Sequence, residues 1–119
     1  LCDSASVMTA TANDLSYERV FAEQIELLAC PGDVLVVISA SGNSPNILQA
    51  VHVARTLKLV CIALTGFNGG ALRGIVDHNI HVPTAVGDYG PVEDVHLIIN
   101  HMLTEIMRRE TPGRSDGAP

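Results

Sequence analysis

The stretch Val34–Asn46, VLVVISASGNSPN, constrains the fold of this chain more than any other. Five apolar residues run without a break into a cluster of three serines, a glycine and an asparagine, and Pro45 stands inside it. An uninterrupted apolar run of this length predicts a strand buried on both faces. Ser44 and Pro45 then open a helix, with Ser44 as its cap and Pro45 at its first position, where a missing N–H costs nothing. Ile47, Leu48, Val51 and Ala54 supply the apolar side of that helix. A second apolar run, Leu59–Leu64, predicts the next strand and empties into Thr65-Gly-Phe-Asn-Gly-Gly70. Strand, helix and strand in this order make a parallel βαβ unit. The fold class is therefore α/β, an open parallel sheet with helices on both faces.

The composition agrees with a core of this kind. Of 119 residues, 47% are hydrophobic and only 3% aromatic, so the core must be built from Val, Ile, Leu and Ala. One domain, residues 1–110, accounts for this length, and the tail TPGRSDGAP, residues 111–119, reads as disordered. A net charge of −6, with seven dispersed basic residues, argues against nucleic acid as a partner. No apolar run is long enough for a membrane span, and no signal-peptide pattern is present. The three cysteines, Cys2, Cys30 and Cys61, are an odd number without CxxC spacing, which suits a reduced cytoplasmic setting. Cys61 lies within an apolar run and reads as a core residue. The chain begins with Leu1, which implies a segment removed upstream or a piece of a longer protein.

Elsewhere the elements are shorter. Ser6–Ala10 reads as a short strand, after which Asn13 and Asp14 cap a helix that buries Phe21, Ile25 and Leu28. That helix stops at Cys30-Pro31-Gly32. A short helix from about Ala71 to Ile75 leads to a strand at Asn79–Val82, a loop over Pro83–Pro91, and a long helix from about Val92 to Arg109.

The serines explain themselves by position. In an open α/β sheet, ligands bind beyond the carboxyl ends of the strands. There the free amides and the positive end of a following helix favour an anion. Ser39, Ser41 and Ser44 add hydroxyl donors, and Gly42 lets a backbone come close, which together suit a phosphate held without Lys or Arg. The plain alternative is a polar turn with a helix cap. Neither GxxxxGK[ST] nor GxGxxG is present, so this is not a nucleotide-binding loop of either kind.

On the last helix, about 100° per residue places Val95, Ile98, Ile99, Met102 and Ile106 together. Glu93, His96, Asn100 and His101 share the other side. That polar side is either a solvated face or a proton-transfer or metal site. His52, His78 and His81 read as surface or structural.

The segment GDVLVVISASGNSPNILQAVHVAR resembles the signature of the sugar isomerase (SIS) domain family, whose members have a flavodoxin-like doubly wound fold. TATANDLSYERVFAEQIELL, IALTGFNGGALRGIVDHNIHVP and VEDVHLIINHMLTEIM extend the likeness from Val7 to Met107 and point to its phosphoheptose isomerase branch. The resemblance implies binding of sedoheptulose 7-phosphate or a similar sugar phosphate and aldose–ketose isomerisation through an enediol, as in lipopolysaccharide heptose biosynthesis. It assigns the phosphate to Ser39, Ser41 and Ser44, with Gly42 and Asn43 contributing backbone contacts, and sugar hydroxyls to Asn13 and Asp14. His101 falls on the catalytic acid/base, Glu93 is placed with it as a catalytic residue, and the same pair falls on zinc ligands. Ala40 stands where the family often has Thr, Glu93 where it has Gln, and Gly90 where it usually has Asp. Absent from the chain are the family's N-terminal helices and first strand, with the catalytic Glu and a further His ligand. The expectations that follow are a surviving phosphate loop, a missing general base, and stability gained through a homo-oligomer, dimer or tetramer. The alternative function is a non-catalytic adaptor, since relatives in this branch bind the bacterial replication initiator.

Overall fold

In the computed structural model, which describes Leu1 and residues 4–110, the two long apolar runs become adjacent parallel strands. β1 spans Val34–Ser39 and β2 spans Val60–Thr65, in register from Val34 opposite Val60 to Ser39 opposite Thr65. β3, His78–His81, adds on the far side of β2, parallel again, with Ile62 opposite His78 and Thr65 opposite His81. The order is β1-β2-β3. Among the described residues, four α-helices accompany the sheet: α1 Ala5–Asp14, α2 Ala22–Leu28, α3 Pro45–Thr56 and α4 Tyr89–Glu110. Short 3-10 turns lie at Tyr17–Arg19 and Ala71–Gly74.

Parallel pairing sends paired residues to the same face of a sheet. Leu35, Val37, Cys61 and Ala63 thus form one apolar face, which α3 covers with Ala50, Val51, Val53 and Ala54 and α2 covers with Ala22 and Ile25. Each large aliphatic side chain buried here contributes roughly 1.5–3 kcal/mol. Leu72, wholly buried, closes the core from the 3-10 turn before β3. The strand predicted at Asn79–Val82 forms one residue earlier. Its start is pinned by Asp77, whose carboxylate accepts the Cys61 amide at 2.8 Å and whose own amide donates to the Cys61 carbonyl at 3.0 Å.

The opposite face differs from expectation. Val34, Val36 and Ile38 alternate outward and are 56%, 45% and 50% exposed, so β1 is buried on one face, not two. On that side Ile38 shares a hollow with Glu93, His96, Leu97 and Asn100 of α4. The seam of α4 is also not the predicted one. Its two buried residues are Val92 and His96, while Ile98, Met102 and Ile106 are more than half exposed. Val92 is seated on Gly66, where a Cβ would come within 2.6 Å of the valine methyls. A helix docked through its first two turns leaves its later apolar stripe free.

The N-terminal part is also corrected. Ser6–Ala10 is helical, because Ser4 accepts the Val7 amide as an N-cap and Ala5, Ala10 and Ala12 favour helix over strand. Asn13 and Asp14 therefore end α1 and cap nothing after it. Leu28 is 69% exposed, because α2 is only seven residues long and its end projects past the sheet, at the rim of an open hollow with Asp33 and Val34. α4 begins at Tyr89, inside the predicted loop. The tail 111–119 lies outside the described residues, as does Cys2.

Candidate functional site

At the carboxyl end of β1 the chain turns sharply and enters α3. Ser44 is the N-cap residue and Pro45 the first helical residue, as the sequence predicts. The Ser44 side chain, however, makes no capping bond and lies 3.4 Å from the Ser39 hydroxyl. It is therefore turned back toward the end of β1.

The loop leaves at least two of the three serine protons unspent, one being shared between Ser39 and Ser44. Ser39 Oγ accepts the Gly42 amide at 3.2 Å, and Ser41 Oγ accepts the Asn43 amide at 3.3 Å. A serine oxygen that accepts still has its own proton to donate. Ser39 and Ser44 thus meet at the start of the twelve-residue helix α3, with Ser41 on the turn between them, and the positive end of the helix lies at this loop. Gly42 and Asn43, expected to offer backbone amides, already spend them on Ser39 and Ser41.

A second loop, residues 66–72, lies directly against the first. Gly66 donates to the Ala40 carbonyl at 2.9 Å, and Leu72 donates to the Gly42 carbonyl at 3.0 Å. The Asn43 side chain accepts the Ala71 amide at 2.9 Å and donates to the Ser41 carbonyl at 3.1 Å. Sequence reasoning missed this use of Asn43. Its only local signal was the run of glycines at 66, 69 and 70.

Thr65, fully buried at the end of β2, joins the site to its neighbours. Its hydroxyl donates to Asn79 Oδ1 at 2.9 Å and so accepts from His81 Nδ1 at 3.1 Å. His96 Nε2 donates to the Thr65 carbonyl at 3.3 Å. His81, read as surface or structural, has a structural role here, and His96 is a buried anchor of α4.

Other candidate residues are spread more widely. Asn13 and Asp14 are exposed and bonded to one another at 2.9 Å. Glu93, His96, Leu97 and Asn100 line a hollow of about 310 Å³ together with Ile38. Ile38 precedes Ser39 in the chain but faces the other side of the sheet, and no residue of the serine loop lines this hollow. His101 lines a different hollow, with Glu105, Ile106 and Arg109. Glu93 and His101 are eight residues apart on one helix, a rise of about 12 Å. Among the described residues, no three His, Cys, Asp or Glu side chains gather as a metal ion needs. Glu93 and His101, the expected zinc pair, thus lie in separate hollows of α4.

A parallel sheet with a hydroxyl-lined loop at its carboxyl edge agrees with the family signature. The chain matches the SIS domain over residues 2–66 and belongs to that family. Within it, the chain is similar to proteins named phosphoheptose isomerase. That of Maridesulfovibrio salexigens is 40% identical over 107 residues, covering 90% of this chain and 51% of the relative. That of Paramagnetospirillum magneticum is 42% identical over 105 residues, covering 88% and 54%. The solved structure of a phosphoheptose isomerase from Francisella tularensis superposes with a TM-score of 0.85 at 34% identity, covering 91% of this chain and 57% of that one. One from Neisseria gonorrhoeae gives 0.84 at 33%, covering 90% and 59%. The chain spans about half the length of the curated relatives it matches. No helix among the described residues is long and apolar enough to cross a membrane.

Proposed function

We propose that this chain carries the sugar-phosphate-binding part of a phosphoheptose isomerase-type protein, with sedoheptulose 7-phosphate or a close analogue as its ligand. The observation that carries the reading is the turn that sets Ser39 against Ser44 at the start of α3 with Ser41 between them, in a chain about 40% identical to proteins of that name. The phosphate accepts from the three hydroxyls and faces the positive end of α3. In the aldose–ketose exchange a base removes the C1 proton of the ketose, and a proton returns to C2 through an enediol. Glu93, on the hollow that Ile38 lines, and His101, further along α4, are the groups of this chain offered to that transfer. Asn13 and Asp14 are offered to the sugar hydroxyls. The setting is cytoplasmic, where the free thiols Cys30 and Cys61 persist. Self-association covers the outward face of β1 and the apolar stripe of α4.

Calorimetric titration of the purified chain with sedoheptulose 7-phosphate tests this, with Ser41→Ala beside it and product assayed in the same samples. Binding that weakens about tenfold or more in the variant supports the phosphate cradle. Absence of binding by the unaltered chain refutes it. A second reading, binding without turnover as in an adaptor, is favoured by the separation of Glu93 and His101 into different hollows. Binding with no product selects that reading; product formation selects the enzyme.

A further inference from the structure

We infer that residues 66–72 are a clamp that sets the geometry of the serine loop, and that Asn43 is a positioning residue which serves the anion through this clamp. The inference rests on the reading of the serine loop given above.

Three kinds of contact support it. The first is close backbone packing. A Cβ on Gly42 would lie 2.0 Å from the Gly69 carbonyl oxygen, and one on Gly70 would lie 2.3 Å from that of Ser41. No side chain separates the two loops at these points. The second is hydrogen bonding at both ends of the contact: Gly66 to the Ala40 carbonyl and Leu72 to the Gly42 carbonyl. Ala40 and Gly42 flank Ser41, so the carbonyls on either side of the central serine are held by the second loop. The third is the Asn43 side chain, which bonds to both loops at once, taking the Ala71 amide and giving to the Ser41 carbonyl.

The second loop is itself anchored. Leu72 is fully buried in the core, and Gly66 is locked under Val92 of α4. By contrast, the bonds of the serine loop to itself are the longer ones, at 3.1 to 3.4 Å. Such bonds by themselves leave a six-residue loop free to sample other arrangements. An anion site made of neutral donors depends on their being fixed in advance, because each hydroxyl must otherwise be ordered on binding. Rigid docking on the core supplies that order.

The test uses the whole chain with Asn43→Ala and Asn43→Asp, titrated with sedoheptulose 7-phosphate, while amide exchange at Ala71 is followed by NMR. Asn43→Ala removes both bonds. It should accelerate exchange at Ala71 and weaken binding about tenfold. Asn43→Asp keeps an acceptor for Ala71 and should restore its protection, while the lost donor to Ser41 and the added negative charge keep the affinity low. If Asn43→Ala speeds exchange or lowers the melting temperature while affinity is unchanged, the contact is only structural and the inference falls. Unchanged exchange at Ala71 overturns it as well. Failure of the unaltered chain to bind overturns the phosphate reading, and the positioning role with it. Binding by the unaltered chain that Ser41→Ala destroys and Asn43→Ala leaves intact overturns the clamp alone.

Discussion

If the two loops touch through bare backbone, alanine at each glycine should cost what the local space dictates. A methyl group added at Gly74 would meet nothing within 4 Å, and φ there is not positive, so Gly74→Ala should be neutral or stabilising by up to about 1 kcal/mol, through the unfolded chain. Gly32 has open space but a φ of +95°, so Gly32→Ala isolates the conformational cost, about 1–2 kcal/mol. Gly70 combines a φ of +55° with a Cβ position 2.3 Å from Ser41 O and 2.6 Å from Gly42 C. Those neighbours are backbone atoms and cannot rotate away. Overpacking adds about 1–3 kcal/mol to the conformational cost, so Gly70→Ala should lose about 3 kcal/mol. In urea, with a slope of about 1–3 kcal/mol per molar, this lowers the unfolding midpoint by roughly 1–3 M. The three variants, unfolded side by side, should rank Gly74→Ala, Gly32→Ala, Gly70→Ala in order of increasing loss. Equal losses for Gly32→Ala and Gly70→Ala would refute the close docking of the loops.

Two further outcomes follow from buried polar groups. Burial pushes the Cys61 thiol pKa up, and the Asp77 carboxylate adds to this against an opposing effect of Arg55. A raised native pKa means that the thiol's contribution to stability is complete below the ordinary thiol range and is lost as pH rises through the shifted value. Urea unfolding at rising alkaline pH should show this decline, and Cys61→Ala should flatten it; an unaltered alkaline slope in the variant counts against the burial argument. Thr65→Val keeps the shape but removes the hydroxyl shared by Asn79 and His81, and should cost about 1–2 kcal/mol. A variant as stable as the parent, with unchanged His81 ring signals, would show that these bonds carry nothing.

What was legible in the sequence was what local chemistry decides. The serine loop could be read because a strand, three hydroxyls and Pro45 lie within a dozen residues. Each has one conformational meaning: extended, turning, helix-starting. The parallel pairing of β1 and β2 followed from two apolar runs with a helix between them. Asn13-Asp14 misled because a short polar side chain is equally at home at the end of a helix: they close α1, which Ser4 caps, and α2 starts after Phe21 with no side-chain cap. Nor could periodicity reveal that Asn43 would bond to Ala71, 28 residues away. That contact exists only after β1 and β2 have aligned in register and brought both of their following loops to one edge.

α4 shows why amphipathicity identifies a face without naming its partner. The helix has an apolar stripe, yet the chain docks it through Val92 and His96, and the stripe points outward. The difference arises at Gly66, where the helix comes close enough to the end of β2 for a valine to seat, and at the Thr65 carbonyl, which takes the imidazole. The outward faces of α4 and β1 together leave a broad apolar surface exposed. The contacts that build the serine loop do not run through them: they pass to residues 66–72, to Leu72 in the core and to α3 on the covered side of the sheet. The geometry for holding a phosphate is therefore carried by the packed half of the molecule. The residues offered to proton transfer lie on the helix whose apolar stripe is free. On this architecture, binding is a property of the loops and the core, while the chemistry of Glu93 and His101 depends on where α4 is held.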